Sequence, residues 1–447
     1  MGGQDERQED GEGDRRKQHG RPESATRRLL LLLSPASATS CPDQTGWGRY
    51  DPPTMAAPHR PPDELPEGGL DALIDFSGIR RIHVLAWRDL DDPEAGGSEV
   101  HAHEVARRWA DAGLEVTFRT SHAAGHCTST RRAGYRVVRR AGRYLVFPRA
   151  VAAELLGAHG RRDALVEIWN GVPFFSPLWA AKPRMAFLHH DHELLWPMVL
   201  SPGLARLGSF LERRIAPPCY RKTPIVTLSE SSRASLIRDL HLPGHGVHVV
   251  EPGIHSRFSP AADRFPTPLV VAAGRLMPSK RFDALIRMVA EVRRTVPDTR
   301  LEILGEGYVE EELLEVIAEL GADSWVDLRG HVDDAELVAA YRRAWVVASA
   351  SSSEGWGMTL TEAAACGTPA VATRIPGHED AVEHGVSGLL ADDDRQLADH
   401  LTGLLADDER RSELGRAALT RSARYDWDRT ATEAFRVLAS TAPPRGP

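Results

Sequence analysis

Short apolar runs alternating with helical stretches, twice over, constrain this chain more than any other feature. From RIHVLAW (Arg81–Trp87) the runs continue through LEVTFRT, RYLVFP, DALVEIW, RMAFLH and PIVTLS. Helical periodicity lies between them in Ser98–Gly113, Leu204–Ile215 and Ser231–Leu240. EPGIHSRFSPAADRFPTP (Glu251–Pro268) breaks the pattern with prolines and no periodicity, and reads as an inter-domain linker. A second alternation then begins: PLVVAAG, a helix from Arg281, TRLEILG, a helix from Val309, SWVDLRG, a helix from Asp334, AWVVASA, a helix from Met358, and TPAVAT. Buried strands separated by helices form parallel sheets covered on both faces. The expectation is an α/β protein of two tandem doubly wound, Rossmann-like domains facing a central cleft, since such sheets bind ligands at the carboxyl ends of their strands. The domains are expected at 80–255 and 268–425, with 426–440 a C-terminal helix packing back toward the linker.

Residues 1–69 read as an extension outside both domains. Up to Thr54 they mix charge, Gly, Ser and Pro without periodicity, the composition of a disordered segment, and Met55 is the expected native start. The run RRLLLLLSPASA has five leucines, short of a signal-peptide core, and no run reaches the roughly 18–20 apolar residues that span a bilayer. A net charge of −8 argues against nucleic acid as the main ligand. Four scattered cysteines with no C-x-x-C pair fit a reducing compartment and no structural zinc. The expected location is cytoplasmic, with a peripheral place at the inner membrane face left open.

Four motifs sit where these sheets would present ligand loops. AGGSE (Ala95–Glu99) places Gly96 and Gly97 before a helix, where open N–H groups and the helix dipole favour a phosphate; the alternative is a flexible turn capped by Ser98. GRLMPSKR (Gly274–Arg281) follows a strand, and Arg275 and Lys280 can clamp a diphosphate. Only four of the 55 basic residues are lysine, so Lys280 departs from the chain's habit, and an ammonium is not interchangeable with a guanidinium. Arg281 reads as solvated surface. FLHHDHELLW (Phe187–Trp196) ends a strand in His189, His190 and His192, read as polar cleft residues ahead of metal ligands or strand caps. In EGWGMTLTE, Glu354 and Glu362 flank a Gly–Trp–Gly turn, and carboxylates are strong acceptors for sugar hydroxyls. The basic run Arg131–Arg143 alternates as a twisted hairpin with its arginines outward, membrane or acidic-ligand contact being the lesser reading. Neither LGEGYVE nor HEVAR completes the dinucleotide or zinc-protease pattern it opens.

From about Arg80 to Ala439 the chain resembles the retaining GT-B glycosyltransferases, the group that includes mannosyltransferases and sucrose synthases. The resemblance is carried, in order, by EAGGSEVHAHEVARRWADAG, FLHH, VTLSESS, EPGIHSRF, GRLMPSK, LEILGEG, VDLRGHV and EGWGMTLTEAAACGTPAVAT. It implies that Gly96 and Gly97 support a donor diphosphate, that Arg275 and Lys280 beside Gly274 neutralise it, and that Glu354 binds the donor sugar. Glu362 would hold the ribose, Gly357, Met358 and Thr359 would touch sugar and phosphate, and His331–Val332 the base edge. His189 sits where the family's active-site histidine follows a strand, with His190 an alternative. The implied partners are a nucleotide-sugar donor and a hydroxyl acceptor (glycan, glycolipid or small metabolite), with no metal and no other cofactor. Another GT-B reaction, by a phosphorylase or a non-hydrolysing sugar-nucleotide epimerase, and a non-catalytic sugar-nucleotide-binding protein are the alternatives.

Overall fold

The computed structural model describes residues 65–443 apart from 194, 262 and 263. The segment up to residue 64, with the readings of disorder and of a start at Met55, lies outside the described residues. The N-terminal sheet is built from β1 (Arg81–Leu85), β2 (Glu115–Thr120), β3 (Ser129–Arg132), β4 (Tyr135–Arg139), β5 (Ala164–Ile168), β6 (Arg184–Phe187), β7 (Ile225–Thr227) and β8 (Val247–Val249). Its order is β3-β4-β2-β1-β5-β6-β7-β8, and only β3 runs antiparallel to its neighbour. The C-terminal sheet contains β9 (Leu269–Ala273), β10 (Arg300–Leu304), β11 (Val326–Gly330), β12 (Val346–Ser349), β13 (Ala370–Thr373) and β14 (Gly388–Ala391), in the order β11-β10-β9-β12-β13-β14. β5 and β13 are buried along their whole length, as continuous apolar runs covered on both faces require.

Each sheet reverses direction of growth once, between β1 and β5 and between β9 and β12. The loops leaving those strands are therefore splayed apart and open a crevice. GRLMPSK leaves β9, EGWG leaves β12, and the loop ending in AGGSE leaves β1.

Two local expectations fail. RYLVFP is not a strand: the helix Val146–Leu155 begins inside it. Pro148 lies in the first turn of that helix, where a missing N–H costs nothing, whereas a central strand would lose a ladder bond; the alanine-rich residues that follow extend the helix. The Arg131–Arg143 hairpin does form, as β3 and β4 turning at Ala133–Gly134, but its arginines do not all face outward. Arg139 is buried and forms a bond described below.

The last helix, Trp427–Ala439, leaves the C-terminal domain and packs on the N-terminal one. Trp109 Nε1 on the helix Gly97–Asp111 donates to Ala431 O at 3.0 Å, and the Trp109 and Phe435 rings meet edge to face at 5.9 Å. Phe435 is fully buried. Phe435→Ala is expected to cost about 3–5 kcal/mol, read as an earlier midpoint in urea unfolding.

Candidate active site

The loop after β1 carries Asp89, Asp91, Asp92 and Glu94, acids that would repel one another if left bare. The hairpin neutralises them. Arg139 Nε donates to Asp89 Oδ2 at 2.9 Å, and Arg132 Nη1 to Asp89 Oδ1 at 3.0 Å. Arg143 donates to Glu94 at 2.6 Å and to Asp92 at 3.0 Å. The arginine run thus turns inward to brace the loop that ends in Gly96.

Gly96, not Ser98, caps the helix Gly97–Asp111: its N–H donates to Glu99 Oε2 at 2.9 Å, and Ser98 Oγ donates to the same oxygen at 2.8 Å. Glu99 is buried, lies 3.3 Å from Arg88 Nε and accepts from Asn170 Nδ2 at 3.2 Å. Burial raises the Glu99 carboxyl's pKa, but Arg88 and Arg275 outweigh that and hold it below its usual value.

The C-terminal domain touches this loop directly. Arg275 Nη1 donates to Glu94 O at 2.8 Å, and a Cβ on Gly96 would stand 3.1 Å from Arg275 Nε. A Cβ on Gly97 would stand 3.2 Å from Met358 Sδ. Gly96 and Gly97 are therefore the points at which one domain's backbone meets the other's side chains. Burial lowers the Arg275 pKa and Arg88 adds to this, while Glu99 and Glu94 oppose it.

Lys280 curls back along Gly274, where a Cβ would stand 3.4 Å from Lys280 Cε. Its ammonium pairs with Glu354, which also accepts from Ser351 Oγ at 2.9 Å. Burial pushes the Glu354 carboxyl up, and Lys280 and His378 more than reverse this, so it is an anion at neutral pH. Arg281 pairs with Asp394 at 2.6 Å and caps the helix Phe282–Val292 at φ 51°, so that helix starts one residue later than the pattern implied.

After Glu354 the turn passes beneath the N-terminal domain. A Cβ on Gly355 would stand 2.9 Å from His189 O and 3.3 Å from His190 Nδ1. Ser232 Oγ donates to Gly355 O at 3.1 Å, while Ser231 bonds to Asp380 and accepts from Gly377 N at 2.8 Å. The motif VTLSESS thus binds the two domains together. Gly357 caps the helix Met358–Ala365 at φ 90°, with Met358 and Thr359 in its first turn.

Glu362 lies one turn further along, half-buried, with Tyr341 Oη donating to it at 3.4 Å. Burial raises its pKa to about 8, against the pull of Arg257. A carboxyl whose folded pKa exceeds its unfolded value favours the folded state below the unfolded value, near 4.5, and loses that advantage as pH climbs toward 8. Glu362→Gln should therefore gain in melting temperature relative to wild type as pH rises from about 5 to about 8, measured without ligand. Val332 and Met358 both pack against the apolar cluster that includes Tyr341 and Leu360, and His331 N donates to Glu306 Oε1 at 3.2 Å.

The three histidines separate. His189 is buried and its Nε2 meets His101 Nδ1 at 3.2 Å; burial, then His190 and His192, lower its pKa to about 3, so it is neutral. His190 is likewise held neutral by burial and stacks on His192 at 4.6 Å. His192 is fixed by Glu212 at 2.9 Å and by Asn170 Oδ1 at 3.2 Å. Among the described residues no His, Cys, Asp or Glu group has the arrangement of a metal site. A cavity of about 410 Å³ lined by Arg264, Trp345 and Arg411 lies elsewhere and includes none of these residues. Sequence reasoning missed Glu99, Arg88, Asn170 and His101; only His101 carried a signal, a histidine one turn inside the helix that follows AGGSE.

Residues 95–258 match the family model Glycosyltransferase Family 4, and residues 260–421 match Glycosyl transferases group 1. The D-inositol 3-phosphate glycosyltransferase of Thermobispora bispora is 30% identical over 409 residues, covering 79% of this chain and 94% of that protein. The GDP-mannose-dependent alpha-(1-6)-phosphatidylinositol monomannoside mannosyltransferase of Mycolicibacterium smegmatis is 30% identical over 287 residues, 58% of this chain and 72% of its own length. The solved sucrose-phosphate synthase from Thermosynechococcus elongatus shares the fold with a TM-score of 0.69 at 19% identity, over 79% of this chain and 97% of that one. With two facing sheets, a cationic loop and paired acids at their junction, and these relatives, the chain belongs to the GT-B glycosyltransferases.

Proposed function

We propose that the protein is a retaining transferase that moves a sugar from a nucleotide-sugar donor to a hydroxyl acceptor without a metal ion. The observation that carries this is the Lys280–Glu354 pair set beside Arg275 at the contact with Gly96. Cleaving the anomeric C–O bond builds negative charge on the departing diphosphate, and Arg275, Lys280 and the helix starts at Gly97 and Met358 would stabilise it. Glu354, freed from Lys280 when phosphate arrives, would accept sugar hydroxyls. Glu362 would accept ribose hydroxyls, with Val332 near the base. The acceptor oxygen attacks from the leaving group's own face, and its proton passes to a donor phosphate oxygen. His189, neutral and buried, serves as a hydrogen-bonding group toward the sugar rather than as a cation. The domain contacts through Gly355 and Ser232 would exclude water from the closed site. The names of the two relatives support an acceptor built on inositol, received by loops of the N-terminal domain.

Product analysis with purified protein, a nucleotide sugar, an inositol-type acceptor and a metal chelator tests this reading. The expected result is a glycoside with the donor's anomeric configuration. Turnover that needs added divalent metal, or an inverted product, would overturn the mechanism. Conversion of the donor without any acceptor would favour the epimerase.

A further inference from the structure

The helical segment from Pro202 to Tyr220 has a buried inner side formed by Ala205, Gly208, Glu212, Ala216 and Tyr220. Its outward side, where a surface helix ordinarily carries charge, instead carries Leu204, Leu207, Phe210 and Ile215. Leu207 and Phe210 are 52% and 54% exposed. Met198, on the preceding helical turn packed against this segment, is exposed beside them. Scattered exposed apolar residues mean little, whereas five along one short stretch form a patch.

The patch is bordered by basic residues. From Trp196 to Lys222 the chain has five basic side chains and one acid, Glu212, which is buried and turned inward. Arg213 pairs with Glu193, and Arg206, Arg214 and Arg221 are exposed with no carboxylate partner among the described residues. The segment is also fixed to the cleft. Glu212 Oε1 binds His192 Nδ1 at 2.9 Å, its Oε2 accepts from Trp196 Nε1 at 2.7 Å, and His192 stacks on His190.

We propose that this face docks on an anionic lipid surface. Apolar side chains flanked by unpaired arginines match the boundary between acyl chains and negative headgroups. A second protein copy would leave those arginines facing one another across a symmetric contact. Docking there presents the His190–His192 side of the cleft to the bilayer, so that an acceptor can be taken from it. This last step rests on the transfer reading; the docking itself does not.

Sedimentation of the full chain with phosphatidylcholine vesicles, with and without phosphatidylglycerol, tests the proposal. Wild type should bind the anionic vesicles and only weakly the zwitterionic ones. Leu207→Gln with Phe210→Gln should weaken binding about tenfold or more, and Arg214→Gln roughly fivefold. Donor-induced thermal shifts should be unchanged in both variants, since neither touches the donor residues. Absent binding by wild type, or equal binding by the variants, overturns the proposal. So does a wild-type dimer, seen by light scattering, that the apolar variant abolishes. A missing donor shift in wild type would instead contradict the transfer reading and leave the vesicle result to stand by itself.

Discussion

Lys280→Ala should lower the turnover of sugar transfer by roughly 10²-fold or more while leaving the fold intact. The ammonium has two tasks. Without donor it neutralises Glu354, whose carboxyl burial would otherwise push toward the protonated form. With donor it meets charge that grows only as the C–O bond breaks, so its loss should fall on kcat more than on KM. Lys280→Arg should not restore full activity. The lysine stem runs against Gly274 and ends at Glu354, a path fitted to a compact head group rather than a planar fork. The ion pair is partly exposed, so the variant should melt near wild type. Wild-type turnover in Lys280→Ala would remove the residue from the phosphate clamp.

A loss of stability as large as that at Phe435 is expected at a second residue outside the candidate site. Gly305 directly follows β10 with φ at 139°, and a Cβ there would stand 2.0 Å from Gly274 O and 2.9 Å from Gly274 C. Both obstacles are backbone, so no side-chain rotation relieves the clash. Gly305→Ala should therefore cost about 3–5 kcal/mol, combining backbone strain with overpacking. The measurement is the midpoint shift in chemical denaturation. Because Gly274 leads into Arg275, whatever folded protein remains should also bind phosphate poorly. A variant with wild-type midpoint and donor affinity would show that β10 does not set the position of the 274–280 loop.

What was readable in sequence was local. Strand–helix alternation, the lysine in GRLMPSK and the acids around Gly–Trp–Gly each declare themselves within a dozen residues, and the loops that carry them meet in the fold. RYLVFP misleads because a short apolar run has no period of its own, and its one distinguishing residue, Pro148, belongs to the first turn of a helix. The arginine hairpin misled for another reason. Alternation says which side chains share a face, but not that Asp89 and Glu94, some 50 residues earlier, occupy that face. Ser231 and Asp380, separated by 149 positions and by the domain boundary, are joined only by tertiary structure. His189 could be placed at a strand end, while its neutrality depends first on burial, which no spacing reveals, and its contact with His101 is made only by the fold.

The central claim is that the junction of Gly96, Arg275, Lys280 and Glu354 holds the diphosphate and sugar of a nucleotide-sugar donor. Its most direct test is the melting temperature of the full chain in chelator with saturating UDP-, GDP- or ADP-sugars, since a ligand that binds only the native state raises it. One base should raise it by several degrees in wild type and by far less in Lys280→Ala. No shift with any donor, or an equal shift in the variant, would contradict the account.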